Sequence, residues 1–223
     1  MAPKAFMSWS SGKDSAFALH EARKSSDVEI VGLLTTVNEE YERVAMHGVR
    51  EELLDMQAEM LGLPLLKVRL PNPCTNETYE ARMEEACAEI LRQGVRHMVF
   101  GDLFLEDVRQ YREDRLKPVG IEAVFPLWQR DTRKLAQDMI ESGLVAHLTC
   151  LDPRKISAEF AGRRFDARLL AELPETVDPC GENGEFHTIV TKGPMFSRAL
   201  PVAVGETVTR EGFVFTDILP VAA

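Results

Sequence analysis

Apolar and polar positions along the first two thirds of the chain alternate between short, wholly apolar runs and stretches with one apolar face. "AFMSW" (5–9) reads as a short buried strand, and a helix follows from about Asp14 to Lys24. "VEIVGLLTTV" (28–37) is β-branched and apolar on both faces, the pattern of a central parallel strand. A helix over about His47–Leu61 carries Val49, Leu53, Met56 and Met60 on one face, with Gly62 as its C-terminal stop. "LPLLKVRL" (63–70) is a third strand; Tyr79, Met83, Ala86 and Ile90 mark the next helical face, which Gly94 ends. "RHMVFGDL" (96–103) is a fourth strand that runs out at Gly101 and Asp102. A helix through Glu106–Lys117 follows, then a short strand in "IEAVFPLW" (121–128). Asp131 caps a helix that Gly143 closes, and "LVAHLTCLD" (144–152) is a further strand.

This β-α alternation predicts an α/β fold with a doubly wound parallel sheet and right-handed crossovers. Ligands bind such sheets beyond the carboxyl ends of the strands, near the switch in strand order. The C-terminal third is less regular, with prolines at 174, 179, 194, 201 and 220, and reads as a smaller lobe. The expected division is 1–120 and 121–223.

Composition narrows the function classes. Of 223 residues 45% are apolar, enough for a proper core, and no stretch approaches the ~20 apolar residues of a membrane span. The N-terminus lacks the apolar segment of a secretory signal, so a cytoplasmic location without membrane association is expected. The net charge of −10, from 36 acidic against 26 basic residues, is opposite to that of proteins that grip long nucleic acids, and no nucleic-acid partner is expected. "VRQYREDRLK" and "AGRRFDAR" are the only basic stretches, and both read as solvated helix faces. The four cysteines form no C-x-x-C pair, which argues against a structural zinc or thioredoxin-like centre. Oligomeric state is left open, a homo-oligomer included.

Two dense clusters carry candidate chemistry. In "SWSSGKDSAFALHE" (8–21) the turn Ser10-Ser11-Gly12-Lys13 joins the first strand to the first helix. Small residues there let backbone N–H groups converge on an anion, and the helix N-terminus adds its free donors and dipole. Ser10, Ser11 and Ser15 offer hydroxyls and Lys13 a full charge, so the turn suits a phosphate; the plainer alternative is a helix capped by Asp14 or Ser11. The second cluster is "DPCGENGEFHTIV" (178–190): Glu182, Glu185 and His187 flanked by Gly181 and Gly184, with Thr188 next. Two carboxylates and an imidazole on a glycine-rich turn can orient ammonia, accept a proton or bind a metal. Alternation predicts a strand starting at Glu185, with Glu185 and His187 on one face and Phe186 on the other.

The first turn fits neither the Walker A nor the dinucleotide glycine pattern. It resembles the S-G-G-x-D-S signature of the PP-loop ATP pyrophosphatases, with Ser11 in place of the first glycine. "FGDLFLEDVRQYRED", "FPLWQRDTRKLAQDMIESGLVAHLTCLD" and the second cluster resemble one branch of that superfamily, the diphthine–ammonia ligases and their ATP-binding relatives, from residue 6 to about 192.

The resemblance implies a PP-loop domain over 1–120 and a substrate lobe over 121–223. ATP is then held by Ser10, Ser11, Gly12, Lys13, Asp14, Ser15, Thr35, Thr36, Gly101 and Asp102. Lys13 neutralises developing charge and Asp14 helps hold magnesium. Arg109 and Glu113, with Gly181, Glu182, Gly184, Glu185, His187 and Thr188, face the substrate; Lys13, Asp14, Glu182, Glu185 and His187 form the catalytic set. Serine at position 11 is compatible with that loop if the position needs no positive φ. The branch's diphthamide-making members read close to E-G-G-E-Y-E-T where this chain has E-N-G-E-F-H-T, so His187 replaces a glutamate. That form resembles a subgroup with a different carboxylate substrate and a suggested cobalamin connection.

The implied activity is an ATP-dependent ligase that adenylates a carboxylate, releases pyrophosphate and transfers ammonia with loss of AMP. An ATP or AMP sensor without turnover is the second alternative. A tRNA-modifying enzyme ranks third, since paired cysteines and a basic RNA-binding domain are absent.

Overall fold

The computed structural model describes residues 2–221. Its first sheet contains β1 (Lys4–Ser8), β2 (Glu29–Asn38), β4 (Leu65–Leu70), β5 (His97–Val99) and β6 (Glu122–Val124), all parallel, in the order β4-β2-β1-β5-β6. Beyond the end of β1, the short β3 (Arg43–Val44) pairs antiparallel with the last residues of β2. The helices α1 (Lys13–Ser25), α2 (Glu51–Leu61), α3 (Asn76–Arg92), α4 (Glu106–Leu116) and α5 (Thr132–Glu141) connect and cover this sheet.

Core residues fall on both faces. Phe17, Leu53 and Leu135 pack with Met7 and Leu33 on one side, and Ile90 and Leu116 pack with Phe6, Leu34 and Met98 on the other. The doubly wound parallel sheet expected from the pattern is therefore present. The order reverses between β1 and β5, which places the β1–α1 turn and the end of β5 at the switch point.

Differences from the pattern have local causes. The helix expected from His47 begins at Glu51, because Met46 and Gly48 hold positive φ (62° and 65°), which no right-handed helix accommodates. Asp131 caps α5 as expected, accepting the Lys134 N–H at 2.8 Å. The β7 strand (Val145–Leu151) is apolar enough for the parallel sheet but belongs to a second one. There β8 (Phe186–Lys192), β7, β10 (Phe213–Pro220) and β9 (Val202–Arg210) run antiparallel in that order. An apolar run encodes burial, and both sheets supply it; the partner is set by topology. The β6 strand, beyond residue 120, stays with the first sheet. Among the described residues no helix is long and apolar enough to cross a membrane.

The two sheets share one core, with Phe165, Phe186 and Ile189 clustered with Trp9 and Leu19. Their closest joint is polar. The Val190 N–H donates to the Ser11 carbonyl at 2.9 Å, so β8 runs beside the β1–α1 turn. Gln57, on α2 and fully buried, donates to the carbonyls of Ser11 (3.2 Å) and Val190 (2.7 Å) and accepts the Trp9 indole N–H (2.9 Å). Gln57→Leu keeps the volume and strands these groups in a dry interior. It is expected to cost about 2–4 kcal/mol in urea unfolding, whereas an exposed-face change such as Glu59→Leu stays within about 0.5 kcal/mol.

Candidate active site

Backbone geometry, more than side chains, makes the turn after β1. Ser11 sits at φ 69°, and Gly12 is the α1 N-cap with no side-chain capping bond, so neither Ser11 nor Asp14 caps the helix. The position that replaces the signature's first glycine therefore does adopt a left-handed conformation, which costs a serine roughly 1 kcal/mol. Gly12 has no room for a side chain: a Cβ would lie 2.7 Å from His47 Cε1 and 3.1 Å from the Thr188 carbonyl oxygen. Gly101, at the end of β5, is equally closed, since a Cβ would meet the Asp14 and Ser15 backbone at 2.7–2.9 Å. The Ser10 and Ser15 hydroxyls stand 3.1 Å apart, and Ser15 donates to the Gly12 carbonyl. The Asp14 and Ser15 N–H groups, in the first turn of α1, have no intrahelical acceptor. Among the described residues Ser11 Oγ is buried with no partner.

Lys13 points into the protein. It is 2% exposed, and its ammonium donates to both Asp14 oxygens (2.9 and 2.8 Å) and to the Cys180 carbonyl. The rings of Phe165 and Phe186 lie 5.6 and 5.4 Å from Nζ. Burial works against the charge, and the Asp14 carboxylate more than offsets it, so the lysine pKa is raised and the ammonium persists. Its backbone N–H donates to Thr188 Oγ1 at 3.1 Å. The two clusters read from the sequence are thus in contact.

The 178–185 turn is built by its own carboxylates. Asp178 accepts the N–H groups of Cys180 (2.9 Å) and Glu182 (3.2 Å) and the Thr132 hydroxyl (2.6 Å). Glu185 precedes β8 rather than opening it. It accepts the Asp178 N–H and the Asn183 amide through one oxygen, while the other is buried without a partner among the described residues. Gly181 and Gly184 carry positive φ (72° and 76°). Cys180 is buried, its thiol against the Thr132 carbonyl and its pKa pushed up by burial. Glu182 reaches across to the end of β5 and accepts the Leu103 N–H at 2.7 Å. Burial, with the Asp14 charge adding to it, raises its pKa to about 7 against that hydrogen bond.

The remaining expected residues divide. Thr35 is buried with its hydroxyl donated to the Trp9 carbonyl (2.7 Å), and Thr36 is partly exposed with its carbonyl accepting the Ala45 N–H. Asp102 is held by both forks of Arg112 (2.7 and 3.0 Å), which lies over Phe100. Arg109 pairs with Glu113 at 2.7 Å and stacks near Phe125 and Trp128. No direct hydrogen bond joins Arg109 or Glu113 to either cluster among the described residues.

His47, Gln57, Asp178 and Arg112 belong to the site's construction and were not expected. Gln57 had a signal, a lone amide on the apolar face of α2. His47 had none, being read as the start of a helix. Its Nδ1 lies 3.0 Å from the Thr188 carbonyl oxygen, which requires an Nδ1–H and leaves Nε2 as an acceptor. Its ring lies 4.7 Å from that of His187. Burial, and for His187 its neighbour His47, lower the two pKa values to about 4 and about 3, so both rings are neutral near pH 7.

Next to the pair, a cavity of about 670 Å³ opens between the β2–β3 turn and the second sheet, with Gly48, Cys150 and Phe215 among its walls. Gly48 follows His47, and Cys150 pairs with His187 across β7 and β8. Among the described residues no three His, Cys, Asp or Glu side chains are grouped to hold a metal ion.

These shifts set opposite pH dependences. The histidines stabilise fully above pH 6.5, and that contribution is lost as pH falls toward about 4 and 3. Glu182 contributes fully below pH 4.5, and its share is lost as pH rises through about 7. His187→Gln should lose less stability than the parent between pH 6.5 and 4, and Glu182→Gln less between pH 4.5 and 7. Urea unfolding across that range measures both.

Comparison with known proteins adds the family. The family model described as "Diphthamide synthase N-terminal domain" matches residues 3–123, and "Diphthamide synthase C-terminal domain" matches 131–219. A diphthine–ammonia ligase of Schizosaccharomyces pombe is 27% identical over 89% of this chain, which spans only 36% of that longer protein. Those of Bos taurus and Homo sapiens are each 26% identical over 94% of the chain and 86% of their own length. With both domains matched in order across the switch-point turn and the 178–190 cluster, the chain belongs to the diphthamide synthase family.

Proposed function

We propose that the chain is an ATP-dependent ligase that activates a carboxylate as its adenylate and converts it to an amide with ammonia. The observation that carries this is the contact between the two clusters: Lys13 bonds to Thr188 through its backbone and to Cys180 through its ammonium. An anion at the α1 N-terminus and a substrate at the 178–190 turn would therefore meet.

In this reading the free Asp14 and Ser15 N–H groups and the unpartnered Ser11 hydroxyl receive phosphate oxygens. The substrate carboxylate attacks the α-phosphorus, and the bond to pyrophosphate breaks with its electron pair leaving on pyrophosphate. Ammonia then adds to the acyl carbon, the bond to AMP breaks, and one N–H proton must be accepted. Glu182, whose pKa lies near 7, is the acceptor we assign, and His187, held neutral by burial, positions the substrate. The buried Glu185 shapes their turn, and Lys13 ties the turn to the loop.

Thr35, Thr36, Gly101 and Asp102 would border the nucleoside, and Arg109 and Glu113 a more distant part of the acceptor. The 670 Å³ cavity is where we place the acceptor's body, since its walls adjoin both histidines. Asp14, a single partly exposed carboxylate that shares its oxygens with Lys13, fits a magnesium ion ligated mainly by phosphates and water. Such an ion would neutralise phosphate charge when bound. With His187 in place of the branch's third glutamate, we keep the chemistry and place the departure in the acceptor, a carboxylate other than diphthine being the alternative.

The test is a product assay with ATP, magnesium, ammonium and a panel of carboxylates that includes diphthine-bearing elongation factor. Acceptor-dependent AMP and pyrophosphate are expected, reduced at least about a hundredfold in Asp14→Ala. ADP and phosphate would overturn the reading, and tight ATP binding without turnover would assign the chain to the sensor class.

A further inference from the structure

The outer edge of the second sheet has the makings of a self-pairing interface. β9 is its last strand, and among the described residues nothing pairs with its far side. The strand reads VAVGETVTR and contains neither lysine nor proline, two common guards against edge pairing. Most of it is exposed. A β-bulge of Gly205 and Glu206 opposite Asp217 turns the first half away, which leaves 207–210 as the straight segment.

Backbone direction fixes which groups are free. β9 and β10 join through the two-residue turn Glu211-Gly212, with φ of 51° and 83°. In such a turn the flanking pair, Arg210 and Phe213, exchanges hydrogen bonds, and alternation makes Val208 and Phe215 the next bonded pair. The N–H and C=O groups of Thr207 and Thr209 consequently face outward. A second copy running antiparallel can bond them in one symmetric register, Thr207 opposite the partner's Thr209, with Val208 on the two-fold axis.

That register places Glu206 directly opposite the partner's Arg210, twice over. Both side chains are exposed, and neither takes part in an ion pair among the described residues. They share a face with Val208, since all three border the same cavity. We propose that the chain forms a two-fold symmetric dimer through β9, held by Thr207–Thr209 backbone pairing and reciprocal Glu206–Arg210 ion pairs. Since Glu206, Val208 and Arg210 also border the 670 Å³ cavity, the partner's edge lies along its rim. This does not depend on the ligase reading.

Charge exchange tests the register by sedimentation velocity over a concentration series. The parent is expected to dimerise. Glu206→Arg and Arg210→Glu each oppose like charges and should weaken the dimer at least about tenfold. An equimolar mixture of the two variants should form a heterodimer, because every opposed pair is then complementary, and the double variant should recover the homodimer. Circular dichroism checks that each variant folds. A monomeric parent, single variants that dimerise like the parent, or a mixture that stays monomeric would each overturn the proposal.

Discussion

The bond from the Val190 N–H to the Ser11 carbonyl, seconded by Gln57, is the constraint on which the site depends. It makes the turn after β1 answer to two sheets at once. From the first sheet the turn receives its position at the switch in strand order. From the second it receives a strand alongside, which brings Thr188 to the Lys13 N–H and His187 within reach of His47. Gly12 is sealed by that approach, and Gly101 seals the other side. The turn is therefore rigid before any ligand arrives, and preorganised donors lose little entropy on binding.

Charge is arranged with similar economy. One buried ammonium is matched by the neighbouring Asp14 carboxylate and by the dipole of the Cys180 carbonyl, with two aromatic faces around it. Three groups nearby carry reduced charge at pH 7: Glu182 because it is buried beside Asp14, and His47 and His187 because they are buried beside each other and Lys13. Burial of these groups keeps the local dielectric low and strengthens whatever the N–H groups of the first α1 turn hold.

Much of this was legible in the sequence because it rests on local signals. The parallel strands follow from apolar runs bounded by glycines, and the α5 start from Asp131. The two clusters stand out because small, charged and imidazole side chains crowd into a few positions. What was not legible depends on partners far along the chain. The transfer of β7 to a second sheet needs β8 and β10. The commitment of Glu185 to its own turn needs Asp178 and Asn183, and the role of His47 needs Thr188, 141 residues away. The left-handed Ser11 is a further case, since a residue's φ is set by the chain on either side of it and serine gives no hint of it.

The burial of Lys13 reaches beyond the site into how such proteins can be recombined. Its charge is balanced by its neighbour in the first domain and by a carbonyl in the second, and its rings come from the second alone. Separating the domains, or joining the first half of one family member to the second half of another, would expose this lysine or bury it against mismatched atoms. The loop and the 178–190 turn are thus coupled through Lys13, and a change in either alters the surroundings of a charge that both enclose.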